Sequence, residues 1–278
     1  MKMKITKHIS FYFSLDRFIY INNIIAETNK YKYITDIFIH TNNIDLTINH
    51  FDDYTNGKIV IIYHDLSGIN PYYLTWKCRD LLKKQSPEYD IFMYIEDDIL
   101  VPCKAIEYWL KYSEELIKNK YNLGFFRIEV KSKCECESKC ECECKCKCEC
   151  EYITDLPGKK LDTIINLNNK VYCVNDKQPY CGFWIYNKDE FNKFVNSEFY
   201  DINNIEYYSN CIREKSAFGL HNPLTKWYKN TLIPIVNNKL IEECKIYHMP
   251  NNYVEDTSNE FATIKFDEAL EFCLHVIF

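Results

Sequence analysis

The chain has 278 residues, 47% of them hydrophobic, and a formal net charge of -6. That is enough for a sizeable core, and the acidic balance excludes a general nucleic-acid binder, whose footprint is basic. No run of about 18 or more apolar residues occurs, so no membrane span is expected.

The basic residues 1–7 are not followed by an apolar signal core, so the expected setting is intracellular, cytoplasmic and soluble. Residues 8–13 read as a first strand and residues 14–17 as a loop. Phe18, Ile21, Ile24 and Ile25 give residues 18–31 helical periodicity. Residues 36–40 are a second strand ending at Thr41-Asn42-Asn43, and residues 58–63 a third ending at His64-Asp65. Residues 70–85 read as a helix, with Asn70 able to cap it and Pro71 suited to its first turn.

Residues 91–95 are an unbroken apolar run, Ile-Phe-Met-Tyr-Ile, and Glu96, Asp97 and Asp98 follow at once. Such a run reads as a strand covered on both faces. Residues 105–118 form an amphipathic helix. Strands alternating with helices over the first 120 or so residues predict an α/β fold: a mostly parallel central sheet flanked by helices.

Beyond this, residues 122–130 read as another strand. Residues 160–167 and 170–174 read as an antiparallel hairpin about Asn168-Asn169. Residues 180–186 are an aromatic strand, residues 189–195 and 204–217 helices, and residues 232–236 and 245–248 short strands. The second half is therefore expected to be a smaller mixed lobe. One domain is expected, with halves at 1–130 and 152–278 separated by a low-complexity insertion at 132–151.

Eight of the 15 cysteines fall between Cys134 and Cys150, alternating from Cys140 onward with Glu or Lys. Thiolates are soft ligands, so zinc or copper(I) is one reading. The paired C-x2-C knuckles of structural zinc sites are missing, however, and the tract contains no His. A codon-repeat expansion in a surface loop is the reading we adopt. Cys78, Cys103, Cys173, Cys181, Cys211, Cys244 and Cys273 are scattered singly, as small buried thiols are.

Packing does not call for three adjacent carboxylates, which repel unless a cation lies among them. Ligands of open α/β sheets bind at the carboxyl ends of the strands. Glu96, Asp97 and Asp98 therefore point to a divalent-metal site that holds a diphosphate. No Gly-rich phosphate loop is present, which counts against a dinucleotide-dependent oxidoreductase or a P-loop enzyme. The bland alternative is a solvated acidic turn.

Tyr94-Ile95-Glu96-Asp97-Asp98 resembles the acidic "DXD" motif of GT-A-fold glycosyltransferases in its E-D-D variant, with N-acetylglucosaminyltransferases the closest likeness. Leu74-Thr75-Trp76-Lys77 before the motif, and Tyr108 and Trp109 after it, fit that context. The resemblance implies a metal-dependent hexosyl- or N-acetylhexosaminyltransferase, in which residues 1–130 bind a nucleotide-sugar and residues 152–278 face the acceptor. It implies that Asp98 binds Mn²⁺ or Mg²⁺, that Asp97 contacts the ribose or a metal-bound water, and that His248 is a further metal ligand. Arg17 would contact the diphosphate or base. Asn42 and His64 follow strands at the same edge, and Lys77 would add charge near the phosphates. For an inverting transfer to a glycan or protein hydroxyl, Glu214 is the chosen general base, with Glu206 and Asp189 as rivals. Trp184 and Trp227 are candidates for stacking on sugars. Each of these residues also has an ordinary structural reading. The second functional class is a glycan-binding protein without turnover.

Overall fold

A computed structural model describes residues 3–51, 53–133, 148–154, 156, 158–175, 181–204, 212–218, 231–256, 258 and 260–271. In chain order the elements are β1 (Lys4–Phe11), α1 (Phe18–Thr28), β2 (Ile34–Thr41), β3 (Ile59–Tyr63), α2 (Arg79–Gln85), β4 (Ile91–Glu96), β5 (Ile99–Leu100) and α3 (Cys103–Lys118). Then come β6 (Asn122–Leu123), β7 (Phe126–Lys133), β8 (Cys148–Ile153), β9 (Ile164–Leu167), β10 (Lys170–Val174), β11 (Phe183–Asn187), α4 (Lys188–Val195) and α5 (Ile212–Phe218). The rest are β12 (Thr231–Val236), β13 (Lys239–Leu240), β14 (Lys245–His248), α6 (Asn252–Glu255) and β15 (Ile264–Lys265).

The fold is α/β. The central sheet runs β11-β4-β1-β2-β3, with β4, β1, β2 and β3 parallel and β11 antiparallel at the edge. Side chains alternate across a strand. Ile5, Ile9, Ile39, Met93 and Ile95 join one core with Ile21, Ile24 and Ile25 of α1. Phe38, Phe92, Tyr94 and Trp184 join a second core with Leu82 of α2 and Phe191 and Phe194 of α4. Two further sheets form the mixed lobe: β13-β12-β10-β9, with β6 added to β12, and β15-β8-β7-β14-β5. The Asn168-Asn169 turn has both residues at positive φ, as a two-residue hairpin of this type requires.

Several boundaries differ from the sequence expectation for physical reasons. The first strand begins at Lys4 because Lys7 is a core residue: its Nζ donates to Thr28 Oγ1 at 2.7 Å and Tyr31 Oη at 2.9 Å, and burial pulls its pKa down to about 7. The 70–85 segment is two pieces, a 3-10 turn Pro71–Trp76 and then α2, although Asn70 Oδ1 does accept from the Tyr72 amide. The 122–130 strand breaks at Gly124. A Cβ there would lie 2.6 Å from Thr231 Cγ2 and 2.7 Å from Ile233 Cγ1, so only Gly lets the chain hug β12 before it changes sheets. The aromatic strand β11 belongs to the central sheet, not to the second lobe. The insertion is shorter than 132–151, because residues 130–133 pair with residues 148–151 as strands.

Residues 134–147, Tyr180 and residues 205–211 lie outside the described residues, as do Cys211 and Cys273. Cys78, Cys173, Cys181 and Cys244 are buried free thiols. Among the described residues no helix is long and apolar enough to cross a membrane.

Candidate active site

The chain leaves the central sheet immediately after the acidic triplet. Glu96 ends β4, Asp97 and Asp98 make the turn, and β5 joins the second lobe by pairing with β14, Ile99 opposite His248. The Met249 amide donates to the Asp98 carbonyl at 2.9 Å, pinning that corner. The three carboxylates are held where two sheets meet, each about 95% buried, with residual exposures of 5% for Glu96, 6% for Asp97 and 5% for Asp98. A solvated acidic turn is thereby excluded. Gly182, in the turn just before β11, supports the corner. Its carbonyl accepts from the Glu96 amide at 3.0 Å, its φ is +69°, and a Cβ would come within 2.9 Å of Ile99 Cγ1.

Arg17 reaches over from the β1–α1 loop. Its Nε donates to Asp97 Oδ2 at 2.8 Å, and its Nη2 donates to Asp97 Oδ1 at 2.5 Å and to Asp98 Oδ2 at 2.8 Å. On the other side, His248 Nε2 is 3.6 Å from Asp98 Oδ2, and its Nδ1 is 2.5 Å from Glu129 Oε1 on β7. Acidic and basic side chains thus alternate in one row: Asp97, Arg17, Asp98, His248, Glu129. The two aspartates diverge in basicity. Burial and the Asp98 charge push Asp97 up to about 6 against the pull of Arg17. Burial would also raise Asp98, but His248 and Arg17 together hold it well below the usual carboxylate range. Burial lowers the His248 pKa, and Asp98 and Glu129 more than reverse this, so it lies above the ordinary value.

Glu96 and Asp97 line a cleft of about 340 Å³. Its other walls are Ser10, Tyr12, Ser14 and Arg17 at the end of β1, Tyr72 and Thr75 of the 3-10 turn, and Arg213 of α5. Tyr12 and Tyr72 are half exposed there, at 49% and 52%. Arg213 Nε is 3.9 Å from Glu96 Oε2, and its guanidinium lies 5.9 Å from the Tyr72 ring. The volume falls in the range of small-molecule sites, and the lining offers carboxylates, guanidinium and exposed aromatic faces.

A divalent cation fits one place in this geometry. Asp98 Oδ1 is buried with no hydrogen-bond partner among the described residues, and the His248 imidazole approaches the same carboxylate. One carboxylate with one imidazole suits Mn²⁺ better than Mg²⁺, which favours an all-oxygen shell, with phosphates and water as the further ligands. Among the described residues no three His, Cys, Asp or Glu side chains converge on a single point, so the protein would supply two ligands and the substrate the others.

The remaining expected residues fall elsewhere. Asn42 Oδ1 accepts from the Phe13 amide at 2.8 Å and ties the loops after β1 and β2 together. His64 closes a row of imidazoles with His40 and His8, and Lys77 is exposed nearby, where it adds to burial in lowering the His64 pKa. None of Asn42, His64, Lys77 and Glu214 lines the cleft, and Asp98 and His248 lie behind Asp97 rather than in its lining. Glu214 is next to Arg213 on α5, 3.5 Å from its Nη2, with 39% of its side chain exposed. Asp189 is in the first turn of α4, which follows Asn187; Asn187 pairs with Ile91 at the far end of β4, so Asp189 lies at the edge opposite the acids. Trp184 is 2% exposed and stacked between Tyr94 and Tyr186, which makes it core. Glu206 and Trp227 lie outside the described residues. The sequence reading missed Glu129, Tyr12, Tyr72 and Arg213. A Glu at an alternate position of a strand looks outward-facing, but Phe126, Arg127, Ile128 and Glu129 of β7 are all buried, so both faces of the strand are covered.

No protein-family model matches the chain, and no curated protein is detectably similar to it in sequence.

Proposed function

We propose that this is a metal-dependent glycosyltransferase of GT-A type, moving a sugar from a nucleoside diphosphate to a hydroxyl acceptor with inversion. The observation that carries the proposal is the buried Asp98 carboxylate, one oxygen unpartnered and the other approached by His248, beside a cleft lined by Glu96 and Asp97. Support also comes from the parallel strands β4, β1, β2 and β3 with an antiparallel edge and a second small sheet reached just past the acids.

A cation held by Asp98 and His248 would neutralise the diphosphate as it departs. Arg17 has five donors, and besides its acidic partners it faces the cleft, where it can meet a phosphate oxygen. Tyr12 and Tyr72 offer flat faces for a base or a sugar. The acceptor oxygen attacks the anomeric carbon as the bond to the diphosphate breaks, and the acceptor proton passes to Glu214.

The test is donor hydrolysis and transfer with Mn²⁺, comparing the native chain with Asp98→Ala. Loss of turnover in the variant is expected; equal activity in both would refute the assigned role. The bidentate Arg17–Asp97 pair favours a second reading, because it neutralises acid without any cation. On that reading the chain binds glycans without turnover, and binding would be indifferent to metal and nucleotide.

A further inference from the structure

We propose that Glu129 is a positioning residue, which holds the His248 imidazole by accepting from its Nδ1 and so keeps Nε2 turned toward Asp98. The inference rests on the preceding reading that a divalent cation is held by Asp98 and His248. Glu129 is fully buried on β7, and β14, which carries His248, runs parallel beside it with Tyr247 opposite Ile128. The two side chains therefore leave the same face of that sheet and meet.

Glu129 Oε1 is 2.5 Å from His248 Nδ1, and Oε2 accepts from the Val254 amide at 2.7 Å. With Glu129 as a carboxylate, an unprotonated Nδ1 at that separation would set one lone pair against another, so the ring donates from Nδ1. A ring protonated on Nε2 alone would need Glu129 to be a carboxylic acid donating to Nδ1. With the carboxylate, what remains is either a neutral ring with its Nε2 lone pair free or a doubly protonated ring bridging Glu129 and Asp98.

A structural role alone explains the site poorly. The Val254 amide needs only a neutral acceptor, and burying a charge without need is costly. The charge is useful at the imidazole, which becomes a stronger electron donor when its far nitrogen donates to a carboxylate. Tyr253, whose ring centroid lies 5.4 Å from that of His248, walls the same side and leaves the ring little freedom to flip.

The experiment has two arms. In the first, Mn²⁺ binding is titrated by electron paramagnetic resonance, with and without UDP, for the native chain, Glu129→Ala and Glu129→Gln. Weakening by about 10- to 100-fold is expected in Glu129→Ala. Partial recovery is expected in Glu129→Gln, whose amide oxygen can still accept from Nδ1. Native affinity in both variants would overturn the positioning role, whatever their melting temperatures. In the second arm, nitrogen NMR of labelled histidine reads the metal-free native protein, so it does not depend on any variant folding. A protonated Nδ1 on His248 is expected; a ring protonated only on Nε2 would overturn the proposal. Native protein that takes up no Mn²⁺ under either condition would refute the metal reading, while the nitrogen spectrum still decides the tautomer.

Discussion

Lowering the pH should weaken this fold through a row of three histidines on one face of the central sheet. His8 Nε2 donates to Gln85 Oε1 at 2.9 Å, which leaves Nδ1 to accept from His40 Nε2 at 2.8 Å; His40 Nδ1 then accepts from His64 Nε2 at 2.8 Å. Thr6 Oγ1 also lies 3.1 Å from His8 Nε2, and the Phe38 ring is stacked at 4.8 Å. No acid faces His8 in this row, so burial dominates and drives its pKa from 6.5 down to about 3, with the Gln85 hydrogen bond only partly opposing. His40 is held well below its usual value, by burial first and then by its two imidazole neighbours. Above pH 6.5 neither the folded nor the unfolded chain protonates His8, and its contribution to stability is intact. As pH falls below 6.5 the unfolded chain takes up a proton that the folded chain refuses, and about 1.4 kcal/mol is lost per pH unit until the folded value is reached. His8 alone then accounts for about 2 kcal/mol between neutrality and pH 5, and about 5 kcal/mol by pH 3. Urea unfolding of the native chain and His8→Gln at pH 7.5 and pH 5.0 measures this as a double difference. The native chain should lose about 2 kcal/mol more than the variant over that interval. Equal losses would refute the reasoning.

Arg17→Gln removes the partner of two buried aspartates, and because Arg17 is itself partly exposed the expected loss of stability is about 2 kcal/mol rather than the full value for a buried pair. Saturating Mn²⁺ should recover part of that loss in thermal unfolding, and a melting temperature indifferent to Mn²⁺ would contradict a cation at Asp98. Gly182→Ala places a Cβ against Ile99 at a positive φ and should cost about 1–3 kcal/mol by denaturant unfolding. Replacing residues 134–147 with Asn-Gly, a two-residue turn between the paired Lys133 and Cys148, should leave stability and bound-metal content unchanged by elemental analysis. A loss of bound zinc would restore the metal reading of the cysteine tract. Removing 132–151 instead would delete Glu151, the partner of buried Lys245 and of Tyr247, and should destabilise the second lobe.

The order of strands and helices was legible because each central strand is an apolar run between polar loops. The acidic corner was legible because three carboxylates in sequence have no packing rationale. Lys7 was not legible as core: a lysine near a terminus reads as surface, and only Thr28 and Tyr31, brought over it by α1, satisfy its amine. The break at Gly124 was hidden because its cause is the side chain of Thr231, more than a hundred residues away. Glu129 was hidden because both faces of β7 are covered, which buries a polar position that a half-exposed strand would leave in water. Arg17 was singled out as a phosphate contact, and its ion pairs with Asp97 and Asp98 depend on a turn geometry that no local pattern encodes.

The most direct measurement is calorimetric titration of the native chain with UDP and GDP, with and without Mn²⁺, alongside Asp98→Ala. A nucleoside diphosphate that binds the native chain only with Mn²⁺, and fails to bind Asp98→Ala, is the expected result. Binding that ignores Mn²⁺, or no binding under any condition, would contradict a cation-held diphosphate at the end of β4.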